Sequence, residues 1–138
     1  MFPGRILVKT KNGGIYMKIA ITAHGENLWS PVDSRFSKAI HIIIYDQKTN
    51  AWDCWTNKKN MEGIHGSGTS VFQALAQAGV SILITGHVGP KVFKELNAGE
   101  IDIYSFGDLK GSVEDALAAF WGGKLTAITV PNGIDIKK

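Results

Sequence analysis

Short apolar segments and amphipathic stripes follow one another along the chain. Five segments have the composition of β-strands: residues 18–22, 39–46, 51–57, 81–86 and 101–106. The third alternates between two unlike faces, whereas the fourth is the β-branched, apolar kind typical of a central strand. Residues 47–50 between the second and third are short enough for a hairpin, which makes that pair antiparallel.

Three further segments have helical spacing: residues 66–79, 90–98 and 113–121. Gly79 is a typical C-terminal stop, and Pro90 suits a first helical turn. Ser112, followed by Glu114 and Asp115, has the pattern of an N-cap with acidic residues in the first turn. Helical crossovers require the fourth and fifth strands to be parallel. The sequence therefore predicts an α/β fold with a five-stranded mixed sheet and flanking helices.

Composition places the chain among single-domain proteins that fold on hydrophobic burial. It has 138 residues and one cysteine, Cys54, which excludes an internal disulfide and a zinc ribbon. No apolar run is long enough for a membrane span, and residues 1–14 lack the apolar core of a signal peptide. These features predict a cytoplasmic protein with no membrane partner.

Charge is distributed unevenly. The chain carries 15 Lys and Arg against 12 Asp and Glu, but three of the basic residues fall in residues 1–16, which contain no acid. The rest is balanced and has no basic stripe, so nucleic acid is not an expected partner.

The ends of the chain are predicted to lie outside the domain. Because Met17 leads directly into an apolar segment, we interpret residues 1–16 as an N-terminal extension, either an upstream start or added sequence. The alternative is a hairpin of residues 5–10 and 15–22 around a turn at residues 12–14. The domain is expected to cover residues 17–125, with residues 126–138 as a tail.

Three loops rich in Gly, His and polar residues could carry chemistry: residues 23–36, 64–70 and 85–90. Two of them precede predicted helices, whose N–H groups favour anions, and all three contain a histidine, a common metal ligand. A phosphate or an anionic metal cluster would suit such loops. Gly66 and Gly68 fit plain turn geometry equally well. From the residues alone, neither His24 nor His41 is an expected ligand. His41 is expected to be a hydrogen-bonded sheet residue, and Cys54 a small hydrophobic side chain.

Several separated motifs occur in an order that resembles the dinitrogenase iron–molybdenum cofactor-binding family. They are MKIAI from Met17, VDSRFSKA (32–39), HGSG (65–68), TGHVGP (85–90) and VEDALAAFWGGKL (113–125). The resemblance implies a ribonuclease-H-like, three-layer fold. It also implies a non-catalytic role in binding an iron–sulfur-based cluster, of the iron–molybdenum cofactor or precursor type. This chain has Ser34 and Ser37 where the commoner family form has proline and glycine.

By position, the resemblance implies roles in the cofactor site for residues of three motifs: Asp33, Arg35, Phe36, His65, Gly66, Gly68, Thr85, Gly86, Gly89 and Pro90. His87, the histidine of the third motif, is a further candidate cofactor-binding residue. His65 is the first candidate metal ligand, assisted by His87 or His24. The chain would then act as a carrier that captures a metal cluster and passes it to a client metalloprotein by ligand exchange.

Two other functions fit the same fold class. A metal-dependent nuclease would need converging carboxylates, but the first strand has none and the acids are scattered. A small phosphate- or nucleotide-binding module would use the glycine-rich loops, although neither a GxGxxG nor a Walker pattern is present. Four tryptophans in so small a chain also suggest an exposed aromatic surface, for a partner or a homodimer.

Overall fold

A computed structural model describes residues 18–57 and 68–132. In chain order, the strands are β1 (Lys18–Ala23), β2 (His41–Asp46), β3 (Trp52–Thr56), β4 (Val80–Thr85), β5 (Asp102–Ser105) and β6 (Thr126–Ala127). The helices are a 3₁₀ helix (Phe36–Lys38), α1 (Gly68–Ala78), α2 (Pro90–Ala98) and α3 (Val113–Trp121). The proposed extension of residues 1–16 lies outside the described residues. Of its hairpin alternative, residues 18–22 are described, and they form part of β1, which pairs with β2 on one side and β4 on the other. The division into extension, domain and tail remains a prediction.

The strands form one mixed sheet in the order β3-β2-β1-β4-β5-β6. β2 is antiparallel to β1 and β3, while β4 is parallel to β1 and β5, as predicted for the β2–β3 and β4–β5 pairs. The prediction of five strands was wrong. A sixth, β6, pairs antiparallel with β5 through Ser105 and Thr126. A strand of two residues has no period to detect, so its pairing is visible only in three dimensions.

The helices begin and end at residues whose local chemistry favours a helix boundary. Gly79 follows α1 with a φ of 81°, a conformation that glycine adopts without strain. α2 starts at Pro90, as predicted. At the start of α3, the Ser112 side chain accepts a hydrogen bond from Asp115 N, and the Asp115 side chain accepts one from Ser112 N, which completes a capping box.

Hydrophobic side chains pack on both faces of the sheet. One cluster joins α3 to residues such as Ile21, Ile43 and Ile84, and the other joins α1 and α2 to residues such as Ala20, Ile42 and Leu83. Burial on both faces explains why β2 and β4 are almost continuously apolar. The molecule therefore has helices on both sides of a central sheet, whereas the specific ribonuclease-H-like likeness remains a prediction. In the two described ranges, every helix is too short or too polar to cross a bilayer.

Strand directions gather the variable loops at one edge. β1, β3, β4 and β5 all point the same way, so their last residues, Ala23, Thr56, Thr85 and Ser105, lie along one edge of the sheet. We call this the carboxyl edge. Open α/β sheets bind ligands at such an edge, because loops and helix N-termini converge there.

Candidate functional site at the carboxyl edge

Two buried threonines form the floor of the candidate site. Thr22 near the end of β1 and Thr85 at the end of β4 are both fully buried, and their hydroxyl oxygens lie 2.8 Å apart. The Thr22 hydroxyl also donates to the main-chain oxygen of Asp33, so its single proton is committed there and Thr85 donates to Thr22. Asp33 N in turn donates to Thr22 O at 2.9 Å. The threonines thereby fix residue 33 onto the end of β1.

Asp33 organises the loop that follows β1, residues 24–35. Its carboxylate is buried and accepts three hydrogen bonds from Arg35: from the main-chain N at 3.0 Å, from Nε at 3.1 Å and from Nη2 at 3.2 Å. His24 Nδ1 lies 3.6 Å from Oδ2, the carboxylate oxygen that also accepts from Arg35 Nη2. The hydrogen bonds and charge of Asp33 raise the pKa of Arg35 above its ordinary value. Asp33 therefore orients Arg35, and His24 lies beside it. The Arg35 and His24 side chains are 56% and 51% exposed.

The 24–35 loop lies directly against the loop after β4, residues 86–89. His87 N donates to Ser34 O at 2.8 Å, and Arg35 and His87 form an isolated parallel bridge. A Cβ on Gly86 would lie 2.6 Å from Ser34 Cβ and 2.7 Å from Ser34 O. Glycine is therefore required at residue 86, because the other loop occupies the space that a side chain would need.

The structure separates the predicted site residues into an exposed and a buried group. His24, Arg35 and His87 are exposed at the carboxyl edge. Five others have buried positions: Asp33, Phe36, Thr85, Gly86 and Gly89. Phe36 packs in the core beneath α1 and α2, so its side chain supports the loop from below. His65 and Gly66 lie outside the described residues, and Gly68 is the first residue of α1.

The connection to the HGSG motif starts and ends near this edge. β3 ends at the carboxyl edge, and α1 must also begin there because it leads into the opposite end of β4. α1 also packs against the 3₁₀ helix that follows Arg35. Both described ends of the 58–67 connection thus lie at the carboxyl edge, and α1 lies next to the loop that carries Arg35.

The N-terminus of α3 is already occupied by the protein itself. Val113 N donates to Ser30 O at 2.9 Å, and Glu114 N donates to Leu28 O at 2.8 Å. These carbonyls and the capping box satisfy the N–H groups that would otherwise attract an anion. α2 differs, since its N-cap is Gly89 and no side chain caps it.

Chemically, the carboxyl edge presents the Arg35 guanidinium and the imidazoles of His24 and His87. Beneath them lies the buried Asp33 carboxylate, which pairs with Arg35. Within residues 18–57 and 68–132, no group of three or more His, Cys, Asp and Glu side chains is arranged to hold a metal ion. The nuclease alternative gains no support here, since Asp33 is committed to Arg35. An exposed guanidinium beside two exposed imidazoles can attract an anionic ligand.

His41 and Cys54, for which the sequence favours structural roles, lie at the start of β2 and in β3. His41 Nδ1 is 3.2 Å from Thr56 Oγ1, which confirms a hydrogen-bonded sheet histidine. Cys54 is half-buried, with Sγ 3.7 Å from His41 Nδ1. Burial raises the pKa of the Cys54 thiol, with a smaller contribution from the charge of Glu26 and an opposing one from the Thr56 hydrogen bond. Cys54 therefore favours the neutral thiol.

Sequence reasoning missed three residues that build the site. In the sequence, Thr22 has only the character of a strand residue, and Ser34 is distinguished only by its departure from the commoner family form. Asn132 lies in the segment predicted as a tail, yet its side chain bonds the 86–89 loop. A Pro-Asn-Gly turn signal at residues 131–133 was the only local hint.

Comparison with known proteins gives a consistent set of matches. The sequence profile of the dinitrogenase iron-molybdenum cofactor family matches residues 17–123. The apo orange protein of Desulfovibrio gigas is 35% identical, with a TM-score of 0.76 over 84% of this chain and 96% of that one. A Thermotoga protein provisionally assigned as NifB is 34% identical, with a TM-score of 0.72 over 84% and 97%. An uncharacterized protein of Methanocaldococcus jannaschii is 28% identical over 79% of this chain and 89% of its own length.

Proposed function

Because the chain belongs to the dinitrogenase iron-molybdenum cofactor family, we propose that it binds and carries an iron–sulfur-based metal cluster, or a precursor of one, without catalysing a reaction. The observation that carries the proposal is the junction of the DSRF and TGHVGP motifs through the Ser34–His87 hydrogen bond. That junction presents Arg35, His24 and His87 together at the carboxyl edge. The cargo would be an iron–sulfur cluster of the iron–molybdenum cofactor or precursor type.

Capture of such a cluster would use charge first and coordination second. Iron–sulfur-based clusters with thiolate-like or sulfide ligands are commonly anionic, so the Arg35 guanidinium supplies a complementary charge. The buried Asp33 holds that guanidinium in place through Nε and Nη2. Imidazole nitrogens of His87 and His24, together with the predicted ligand His65, would coordinate metal centres at the cluster surface.

Release follows from the small number of protein ligands. One to three imidazoles hold a preassembled cluster more weakly than four thiolates, so a client metalloprotein with cysteine ligands could remove it by exchange. The only cysteine of this chain, Cys54, favours the neutral thiol and is not part of the proposed ligand set. Transfer thus requires no covalent chemistry by this chain.

Anaerobic reconstitution tests the proposal. The full chain is incubated with ferrous iron and sulfide, with and without molybdate, then desalted and assayed for metal, sulfide and charge-transfer absorption. His87→Ala and His24→Ala should each reduce the cluster retained. His41→Ala is the matched control, since His41 is also a histidine at this edge but is hydrogen-bonded to Thr56. Equal retention in all three variants would contradict the proposed ligand set, and no uptake by the unmodified chain would contradict cluster binding.

A further inference from the structure

The last described residues, 126–132, form a segment that we call the C-terminal strap. Its first two residues form β6 against β5, and Ile128 N donates to Ile103 O at 2.8 Å. At its other end, Asn132 N donates to Val88 O at 3.2 Å. The strap therefore connects the outer strand of the sheet to the 86–89 loop of the candidate site.

Two more hydrogen bonds join the Asn132 side chain to the same loop. Its Oδ1 accepts from Val88 N at 2.9 Å, and its Nδ2 donates to Gly86 O at 2.9 Å. These are the main-chain groups immediately before and after His87. A side-chain amide has the donor and acceptor of a peptide group, so Asn132 bonds the loop as a neighbouring strand would.

Asn132 shares the task of holding the main chain around His87 with two serines. His87 N is held by Ser34 O, and Gly86 O also accepts from Ser105 Oγ at 3.2 Å. The Asn132 side chain supplies the hydrogen bond to Val88 N and the second donor to Gly86 O. Because the His87 side chain is exposed, its direction is set mainly by the main chain that carries it.

We propose that Asn132 is a positioning residue that fixes the His87 backbone for ligand capture. This inference rests on the proposed function for its ligand, but its structural part stands independently. The family profile ends at residue 123, so the strap that carries Asn132 lies beyond the matched segment. A segment outside the family match thereby completes the site.

Two substitutions and one control test the proposal in the full chain. Asn132→Leu preserves size but removes both side-chain hydrogen bonds, while Asn132→Asp keeps an acceptor for Val88 N and loses the donor to Gly86 O. Thr129→Val, at an exposed residue of the same strap, is the matched control. Hydrogen exchange of the Val88 amide is measured in the metal-free protein. Retention of iron and sulfide is measured after anaerobic reconstitution.

In Asn132→Leu, the Val88 amide should exchange about tenfold faster, since a net hydrogen bond contributes roughly this factor. Cluster retention in Asn132→Leu should fall by a similar factor. Asn132→Asp should be intermediate in both Val88 exchange and cluster retention, and Thr129→Val should match the unmodified chain in both. Unchanged Val88 exchange, or equal acceleration at the core amides of β1 and β4, would overturn the positioning role, as would undiminished retention in Asn132→Leu. If the unmodified chain takes up no cluster, the proposed function fails, while Val88 exchange still decides whether Asn132 fixes the loop.

Discussion

The main-chain N–H of His87 donates a hydrogen bond to the main-chain oxygen of Ser34 at 2.8 Å. This bond joins the loop after β1 to the loop after β4. Each loop carries one of the motifs by which the sequence resembles its family, so the bond brings the two motifs into direct contact. Together the two loops place Arg35 and His87 next to each other at the carboxyl edge.

Gly86→Ala should destabilise the protein and disrupt this junction. The new Cβ would lie 2.6 Å from Ser34 Cβ and 2.8 Å from Ser34 Cα, a degree of overpacking that costs about 1–3 kcal/mol. The free energy of unfolding, measured by denaturant titration, checks the size of the effect.

A double variant separates side-chain crowding from backbone crowding at this position. Ser34→Gly removes the Ser34 Cβ, but Ser34 O would remain 2.7 Å from the new Cβ at residue 86. We therefore expect Gly86→Ala/Ser34→Gly to remain destabilised. Full recovery of stability would show that the loops approach through their side chains alone.

Arg35→Gln should lower stability as well as cluster retention. It removes the positive charge and the Nε and Nη2 donors beside the buried Asp33 carboxylate, while the main-chain N–H donor of residue 35 remains. An under-satisfied buried charge costs about 1–3 kcal/mol or more. Asp33→Asn/Arg35→Gln removes both charges, so we expect it to recover part of the stability without recovering retention. Thermal melts of both variants measure stability, and anaerobic reconstitution measures cluster retention. Recovered retention in the double variant would exclude a direct role for the Arg35 charge.

Cys54 should react slowly with iodoacetamide in the folded protein. Only the thiolate reacts, and burial raises the pKa of this thiol, so less thiolate is present at a given pH. Alkylation should therefore be several-fold slower than in denaturant, and the difference should narrow as the pH rises. Mass spectrometry against time follows the reaction. Equal rates in the folded and denatured chain would contradict a shielded thiol.

Deleting residues 1–16 should leave stability and cluster retention unchanged. The described sheet begins with β1 at Lys18, and the family profile begins at residue 17. A thermal melt of the shortened chain beside the full chain provides the measurement. A melting temperature lower by several degrees would favour the alternative in which these residues pair with the domain.

Local sequence patterns predicted most of the fold, because most of its elements are fixed by local chemistry. Pro90 and Gly79 mark helix ends by their backbone preferences, and Ser112 with Asp115 forms the capping box that its spacing predicts. The apolar composition of β4 follows from burial on both faces. Such features require only near neighbours in the sequence and the existence of a core.

The features of the fold and the site that the sequence did not predict depend on contacts between distant segments, which no local pattern encodes. β6 is a strand only because Ser105 and Tyr104 offer it a partner edge. Asp33 and Phe36 lie in the same short motif as Arg35, yet the structure buries the first two and exposes the third. The motif predicted that the segment matters, but only the fold separates the residues that face a ligand from those that hold the loop.

The most direct test of the account is the iron and sulfide retained per chain after anaerobic reconstitution, compared between the unmodified protein and a His24→Ala/His65→Ala/His87→Ala variant. His41→Ala serves as the control, and thermal melts confirm that each protein is folded. If histidines at the carboxyl edge bind the cluster, the unmodified chain and His41→Ala should retain it, and the triple variant should lose it. Equal retention by the folded triple variant would contradict a histidine-bound cluster at the carboxyl edge.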